Sequence, residues 1–189
     1  MKLLGSTTSP FVRRLRLYMF GQPYEFINLD IFSEAGREIL TANNPAQKVP
    51  ALIDEEQCIF DSRVIYRYLA EKRQEEKLTW QQENTLTLID AANDSLVTLF
   101  LSKRSGLDIN QDVLFFNLQH ERVEQLFSVL NQAALNHEFE NWNYPAICLF
   151  CLLDWAKFRE MYDWEKLPAL VSFYNQAQTK EGVKVTDPR

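Results

Sequence analysis

Cysteine is scarce in this sequence, and its scarcity argues against a disulfide-stabilised scaffold. The 189 residues contain three cysteines, an odd number, whereas a disulfide framework needs paired ones. Cys148 and Cys151 form a C-x-x-C pattern, but they lie inside the apolar stretch 146–153, which is typical of a buried helix. Buried free cysteine behaves as a small apolar residue. We therefore predict that both cysteines belong to a core and take no part in redox chemistry.

Histidine is equally sparse, and no short catalytic motif accompanies it. The two histidines, His120 and His137, stand outside any metal-ligand spacing with cysteine, and neither H-E-x-x-H nor G-x-S-x-G occurs. The sequence therefore argues against a metal centre and against a serine hydrolase.

An excess of positive charge and a long apolar run are also missing. The formal net charge is −6 and the pI is near 5.0, which leaves no basic footprint for nucleic acid. The longest apolar stretch, 146–153, is far shorter than the ~18 residues of a membrane span, and residues 1–4 are too short for a signal-peptide core. We expect a cytoplasmic protein that binds neither nucleic acid nor a membrane.

The local basic cluster Arg13, Arg14 and Arg16 fits either a solvated helix face or a ligand contact.

Apolar periodicity predicts the element order β, α, β, α, β, β, α, followed by helices only. The charged run 71–77 is typical of a linker, so the predicted domains are an α/β domain over residues 1–75 and an all-helical bundle over 76–189. The segment 54–57 joins two hairpin strands without Asp-Gly, which favours a turn longer than two residues. The later helices are expected at 80–103, 111–135, 144–161 and 167–179.

Several residues have the character of helix caps. Ser9 is a natural N-cap and Pro10 a natural first helical residue, which places the Ser9 hydroxyl at the positive end of a helix. The neighbouring hydroxyls belong to Ser6, Thr7 and Thr8. Further along, Asn143 can cap the helix that begins at Tyr144.

The dipeptide Val49-Pro50 indicates an edge that can bind an extended peptide. Proline cannot donate to a β-ladder, so Pro50 belongs at the start of the strand 51–53, where the Val49-Pro50 bond can be cis. The backbone of Val49 can then pair with a ligand as an added strand. Asp61-Ser62 opens the next helix, whose free N–H groups can hold a carboxylate-bearing end of that ligand.

Three motifs in this order give the chain a family resemblance that runs nearly end to end. Ser9-Pro10-Phe11 resembles the Cys-Pro-Phe of omega-type cytosolic glutathione S-transferases, with Ser in place of Cys. Lys48-Val49-Pro50 resembles the family's Lys-Val-Pro, and residues 61–65 resemble its Glu-Ser-x-x-Ile. The chain is similar to a Ser-type, bacterial omega- or theta-like member. The resemblance implies a thioredoxin-like domain followed by an all-helical domain, assembled as a homodimer.

The resemblance also implies a role for each motif in binding glutathione as a co-substrate, without a metal. Ser9 would donate a hydrogen bond to the ligand's sulfur and stabilise the thiolate that attacks a small-molecule electrophile, a detoxification reaction. The proposed glutathione-binding set is Lys48, Val49, Pro50, Asp61 and Ser62, with Asp94 reaching from the partner subunit.

Each of these roles has a structural alternative. Ser9 can be only an N-cap, Asp61 and Ser62 only the start of a helix, and Lys48 only a surface charge. The resemblance implies an electrophile pocket lined by Phe11, Phe100 and Trp155, although aromatics at helical spacing are often core residues.

A different class of function competes with the transferase. Residues 61–65 and 68–72 also resemble the stringent starvation protein, a non-catalytic member of the same fold that binds RNA polymerase. Glutathione binding and turnover of electrophiles distinguish the two.

Overall fold

The computed structural model describes residues 1–189 as two compact units. The first contains residues 1–77 together with 181–189, and the second contains residues 78–180. The predicted boundary after residue 75 left every later residue in the helical domain, whereas the last nine residues, 181–189, pack with the first unit.

The first unit is a thioredoxin-like α/β domain, as predicted. Its sheet has the order β2-β1-β3-β4, in which β1 and β2 are parallel and the other two pairings are antiparallel. The elements are β1 (Lys2–Gly5), α1 (Pro10–Tyr18), β2 (Glu25–Asn28), α2 (Glu34–Asn43), β3 (Ala51–Asp54), β4 (Gln57–Phe60) and α3 (Ser62–Lys72).

The core of this unit lies where α1 meets the central strand. Leu3 and Leu4 of β1 are fully buried, as are Val12 and Leu15 on one face of α1. Gly5 allows the close approach, because a Cβ at this position would lie 2.5 Å from a methyl group of Val12. The end of β1 and the start of α1 are therefore held at a separation that only glycine permits.

The hairpin turn between β3 and β4 is shorter than the sequence suggested. Asp54 pairs with Gln57, so only Glu55 and Glu56 form the turn. Glu55 adopts a φ of 53°, in the left-handed region that favours glycine but admits other residues at a cost of about 1 kcal/mol. The prediction of a longer turn was wrong because the strand pairing imposes this conformation on a non-glycine residue.

The Asp54 carboxylate ties this hairpin to α3. Asp54 is 5% exposed, and it accepts hydrogen bonds from the Tyr68 hydroxyl at 2.7 Å and from the Lys72 ammonium. The bond from Lys72, followed by that from Tyr68, lowers the pKa of Asp54. The ionised carboxylate is thus the form that the folded protein stabilises.

Replacing Asp54 with asparagine is expected to lower the free energy of unfolding by about 1 to 2 kcal/mol at pH 7, since a charged hydrogen bond is lost beside a half-exposed lysine. Because folding depresses the pKa of Asp54, its contribution is fully present above the unfolded value of about 3.9 and disappears as the pH falls through the folded value. Urea unfolding at several pH values measures this. Glu56→Gln, in the exposed turn, is the matched control and should stay within about 0.5 kcal/mol of the parent.

The C-terminal segment 181–189 packs against α1 through a buried arginine. Arg13 is 4% exposed; its Nε donates to Thr186 Oγ1 at 3.3 Å, and its Nη2 donates to the Val183 carbonyl at 3.1 Å. Gly182 has a φ of 80°, and a Cβ there would lie 2.7 Å from the Phe20 ring. The chain end therefore completes the first unit.

The second unit is a helical bundle, as predicted. Its most buried element is α6, in which Cys148 and Cys151 are core residues. Asn143 caps this helix by accepting a hydrogen bond from the Ala146 N–H at 3.2 Å, which confirms the predicted cap. The helices are α4 (Trp80–Arg104), α5 (Leu114–Leu135), α6 (Tyr144–Phe158) and α7 (Pro168–Ala177).

No helix of the chain combines the length and the apolar character that crossing a membrane would require.

Candidate functional site

Strand register brings the three sequence motifs to one end of the sheet in the first unit. Leu4 at the end of β1 pairs with Ala51 at the start of β3, and Ala51 pairs with Phe60 at the end of β4. The loop 6–9 follows β1, Val49-Pro50 precedes β3, and Asp61-Ser62 follows β4. Three segments that are separate in the chain therefore lie at the same end of the sheet.

Ser9 is the N-cap of α1, and Pro10 is the first residue of that helix, as predicted. The Ser9 Oγ accepts a hydrogen bond from the Val12 N–H at 3.3 Å. A hydroxyl carries one donor as well as two acceptor lone pairs, so this cap leaves the O–H able to donate to a ligand. The half-buried Ser9 thus combines the helix cap with an available donor.

The Ser6 and Thr8 hydroxyls of this loop pair with each other, and backbone N–H groups of Thr7 and Ser9 anchor the loop. The Ser6 and Thr8 side-chain oxygens lie 3.2 Å apart, and the Ser9 N–H donates to the Ser6 carbonyl at 3.1 Å. The Thr7 N–H donates to Asn28 Oδ1 at 3.1 Å, which ties the loop to the end of β2. The role of Asn28 was not predicted, because no local sequence signal identifies an asparagine at the end of a strand as the residue that anchors a loop.

Asp61 and Ser62 open α3, as predicted. Asp61 adopts a φ of 72°, and its Oδ1 accepts from the N–H groups of Arg63 at 2.9 Å and Val64 at 3.2 Å. Both bonds use one carboxylate oxygen of an exposed residue, so Oδ2 is accessible to a ligand's ammonium group. Ser62 is 3% exposed, and a hydrogen bond from α1 holds its hydroxyl.

That hydrogen bond comes from Arg14, whose Nη1 lies 3.4 Å from Ser62 Oγ. Arg14 is fully buried, and its guanidinium lies 4.8 Å from the centre of the Phe11 ring. A solvated helix face, one interpretation of the basic cluster, is therefore wrong for Arg13 and Arg14. Arg14 links the helix that begins at Ser9 to the helix that begins at Ser62. Sequence reasoning missed this link because the two partners are 48 residues apart.

The segment before β3 is held by a buried asparagine. Asn44 is 1% exposed; its Nδ2 donates to the Lys48 carbonyl at 2.7 Å, and its Oδ1 accepts from the Ala46 N–H at 2.9 Å. The Val49-Pro50 bond is cis, as predicted. Lys48 is exposed, Val49 packs against the cluster around Leu4, and Pro50 is buried.

The remaining predicted residues are divided between the two units. Phe11 is half-buried in the first unit, while Phe100 and Trp155 belong to the second. The Phe100 and Trp155 rings meet edge to face with their centroids 5.5 Å apart. Asp94 is exposed on α4. The structure thus brings Phe100 and Trp155 together and places Asp94 on a surface.

The chain is similar to known proteins in sequence and in fold. Residues 3–77 match the family model described as glutathione S-transferase, N-terminal domain. The uncharacterised GST-like protein YibF of Escherichia coli is 28% identical over a match covering 100% of this chain and 98% of that relative. Glutathione S-transferase U8 of Arabidopsis thaliana is 34% identical over 46% of this chain and 36% of that relative.

Among solved structures, the fold is similar to that of a glutathione S-transferase from Methylobacillus flagellatus that was crystallised with glutathione bound. The TM-score is 0.86 at 22% identity, and the match covers 100% of this chain and 99% of that one. The protein therefore has a thioredoxin-like domain followed by a helical domain in the manner of the glutathione S-transferases. Its first domain matches the N-terminal domain of that family.

Proposed function

We propose that the protein is a glutathione S-transferase that conjugates the glutathione thiolate to electrophilic small molecules. The observation that carries this proposal is the register of the sheet, which gathers the N-termini of α1 and α3 and the Val49 backbone at one end of the sheet. An extended, charged tripeptide-like ligand needs these groups: a strand to pair with, and helix N-termini for its anionic atoms. The match of residues 3–77 supports the assignment.

Each residue of the site supplies one contact in this proposal. Val49 pairs its backbone with the cysteinyl part of the ligand, and Pro50 holds the segment before β3 in place. Asp61 and Ser62 bind the γ-glutamyl end, and exposed Lys48 neutralises the glycyl carboxylate. The solved relative from Methylobacillus flagellatus holds glutathione itself, which supports this choice of ligand.

Ser9 activates the ligand's thiol. A free thiol has a pKa near ~8.5, and a donated hydrogen bond at the positive end of a helix stabilises its thiolate. The thiolate then forms a bond to an electrophilic carbon, whose leaving group departs with the bonding electrons, and no covalent enzyme intermediate is formed. Catalysis rests on thiolate stabilisation and on proximity.

The proposed assembly is a homodimer in which Asp94 of one subunit reaches the ligand's amino group in the other. The exposed position of Asp94 on α4 is compatible with this role. Phe11, Phe100 and Trp155 are proposed to contact the electrophile.

Replacing Asp61 with asparagine is expected to weaken glutathione binding tenfold or more, because a charged hydrogen bond is worth about 1.5 to 3 kcal/mol. Asparagine is as good an N-cap as aspartate, so α3 keeps its cap and only the charge changes. Isothermal titration calorimetry with glutathione measures the affinity.

The matched control is Glu56→Gln, which removes an exposed carboxylate at the opposite end of the sheet and should leave the affinity unchanged. An affinity for glutathione that does not respond to Asp61→Asn would contradict the proposed site. Binding of glutathione without turnover of generic electrophiles would instead favour a non-catalytic member of the fold.

A further inference from the structure

An aromatic and cationic cluster lies within the second unit, at the C-terminal ends of α4 and α6. Its members are Phe100, Arg104, Trp155, Phe158 and Arg159, here called the Arg159 cluster. The Arg159 guanidinium lies 4.9 Å from the centre of the Phe100 ring and 4.3 Å from that of Phe158. The Phe100 ring in turn meets Trp155 at 5.5 Å. The Arg159 guanidinium thus packs against two aromatic rings.

Arg159 has no acidic partner. Its Nε is buried and makes no hydrogen bond, and the charged group that acts on it is another cation, Arg104. Burial, followed by the repulsion from Arg104, lowers the pKa of Arg159. Arg122, in the same unit, differs from Arg159 because its guanidinium donates to Ser95 at 3.1 Å and to Gln119 at 3.0 Å.

A helix-capping role accounts for only part of this arrangement. Arg159 follows the last residue of α6, and a positive charge there is favoured by the helix dipole by about 0.3 to 1 kcal/mol. That attraction neither supplies an acceptor for the buried Nε nor offsets the repulsion from Arg104. An anion bound at the accessible edge of the Arg159 guanidinium would supply the negative charge that this site lacks.

The chemistry of the cluster defines the anion. With its face covered by Phe100 and Phe158, the guanidinium presents its edge, whose N–H groups match the two oxygens of a carboxylate. Phe100, Phe158 and Arg159 are half-buried and therefore within reach of solvent. The half-buried Phe100 ring, which packs on the buried Trp155, favours an aromatic body attached to that carboxylate.

We propose that the Arg159 cluster binds the carboxylate of an aromatic electrophile, with Arg159 as the group that selects anionic over neutral substrates. This inference rests on the proposed transferase function, since Phe100 and Trp155 are the residues assigned there to the electrophile. The preferred substrates are therefore aromatic carboxylates that carry a displaceable group.

The test compares two aryl chlorides, neutral 1-chloro-2,4-dinitrobenzene and anionic 4-chloro-3,5-dinitrobenzoate. In both, the glutathione thiolate forms a C–S bond, the C–Cl bond breaks, and chloride leaves with the electron pair. Arg159→Gln is expected to lower the ratio of kcat/KM for the benzoate to that for the neutral substrate about tenfold, the loss of one charged hydrogen bond. Lys103→Gln, which removes an exposed cation from the same end of α4, is the matched control and should preserve the ratio.

A binding measurement on the parent protein tests the inference without requiring turnover or a folded variant. The parent protein should bind unreactive 3,5-dinitrobenzoate at least tenfold more tightly than the uncharged 3,5-dinitrobenzamide in calorimetry. Equal affinities for the two, or a kcat/KM ratio unchanged in Arg159→Gln, would overturn the inference while leaving the transferase proposal intact. Selective binding of the benzoate without turnover of either chloride would retain the anion site and reject the transferase.

Discussion

Ser9→Cys is expected to form a mixed disulfide with glutathione and to gain thiol-transfer activity. The introduced thiol would stand at the N-terminus of α1, where Ser9 Oγ now accepts from the Val12 N–H, and this position lowers the pKa of a thiol. Its thiolate attacks one sulfur of oxidised glutathione, the S–S bond breaks, and the other glutathione leaves as a thiolate that takes a proton from solvent. Intact-protein mass spectrometry detects the added glutathionyl group.

The control for this experiment is Ser6→Cys. Ser6 lies in the same loop, but its hydroxyl pairs with that of Thr8 and caps no helix, so its thiol should keep a more ordinary pKa and react more slowly.

Ser9→Ala completes the series and should lower turnover while largely preserving glutathione affinity, because the bond from Ser9 matters mainly to the thiolate. If Ser9→Cys keeps its fold and its affinity for glutathione yet stays unmodified, Ser9 points away from the sulfur. The catalytic role would then pass to Thr8 or to backbone N–H groups.

Deletion of residues 181–189 is expected to lower the free energy of unfolding by about 3 kcal/mol. The deletion removes two acceptors of the buried Arg13, namely the Val183 carbonyl and Thr186 Oγ1, and a charged hydrogen bond is worth about 1.5 to 3 kcal/mol. It also removes the 6% exposed Val183 side chain, whose burial contributes about 1.5 kcal/mol. Part of this loss is regained when water reaches Arg13. Urea unfolding followed by circular dichroism measures the change.

The matched control is a shorter deletion, of residues 187–189, which leaves Val183 and Thr186 in place. It removes Arg189 together with Asp187, the partner to which Arg189 donates at 2.9 Å. It should change the free energy of unfolding by no more than about 0.5 kcal/mol. Equal stability of the parent and the longer deletion would show that the C-terminal segment lies on the first unit without supporting it.

The helix starts were predictable because a cap is a local interaction. Ser9, Asp61 and Asn143 each accept a hydrogen bond from an N–H two or three residues further along the chain, so residue type and spacing are sufficient to find them. Apolar periodicity predicted the existence and order of α4, α5 and α6 for the same reason, although the predicted ranges begin before Leu114 in α5 and extend past Phe158 in α6. The hairpin turn was not predictable in this way, because the pairing of β3 with β4 places Glu55 in a left-handed conformation that usually favours glycine.

The same distinction between local and long-range interactions applies to the proposed site. The sequence by itself determined which residues could bind a ligand, since Ser9, Val49-Pro50 and Asp61-Ser62 each carry their chemistry in their immediate neighbours. Only the tertiary structure decided that these segments meet, through the pairing of Leu4 with Ala51 and of Ala51 with Phe60. Strand register is a contact between distant residues, and local periodicity does not encode it.

Arg13 and Arg14 show most clearly which features the local sequence does not determine. Arg13 and Arg14 stand in a basic run that equally suits a solvated helix face, yet both are buried. Thr186 and Ser62, which accept hydrogen bonds from Arg13 and Arg14, lie 173 and 48 residues away from them in the chain. A buried charge requires a partner, and only the folded chain supplies one across such separations.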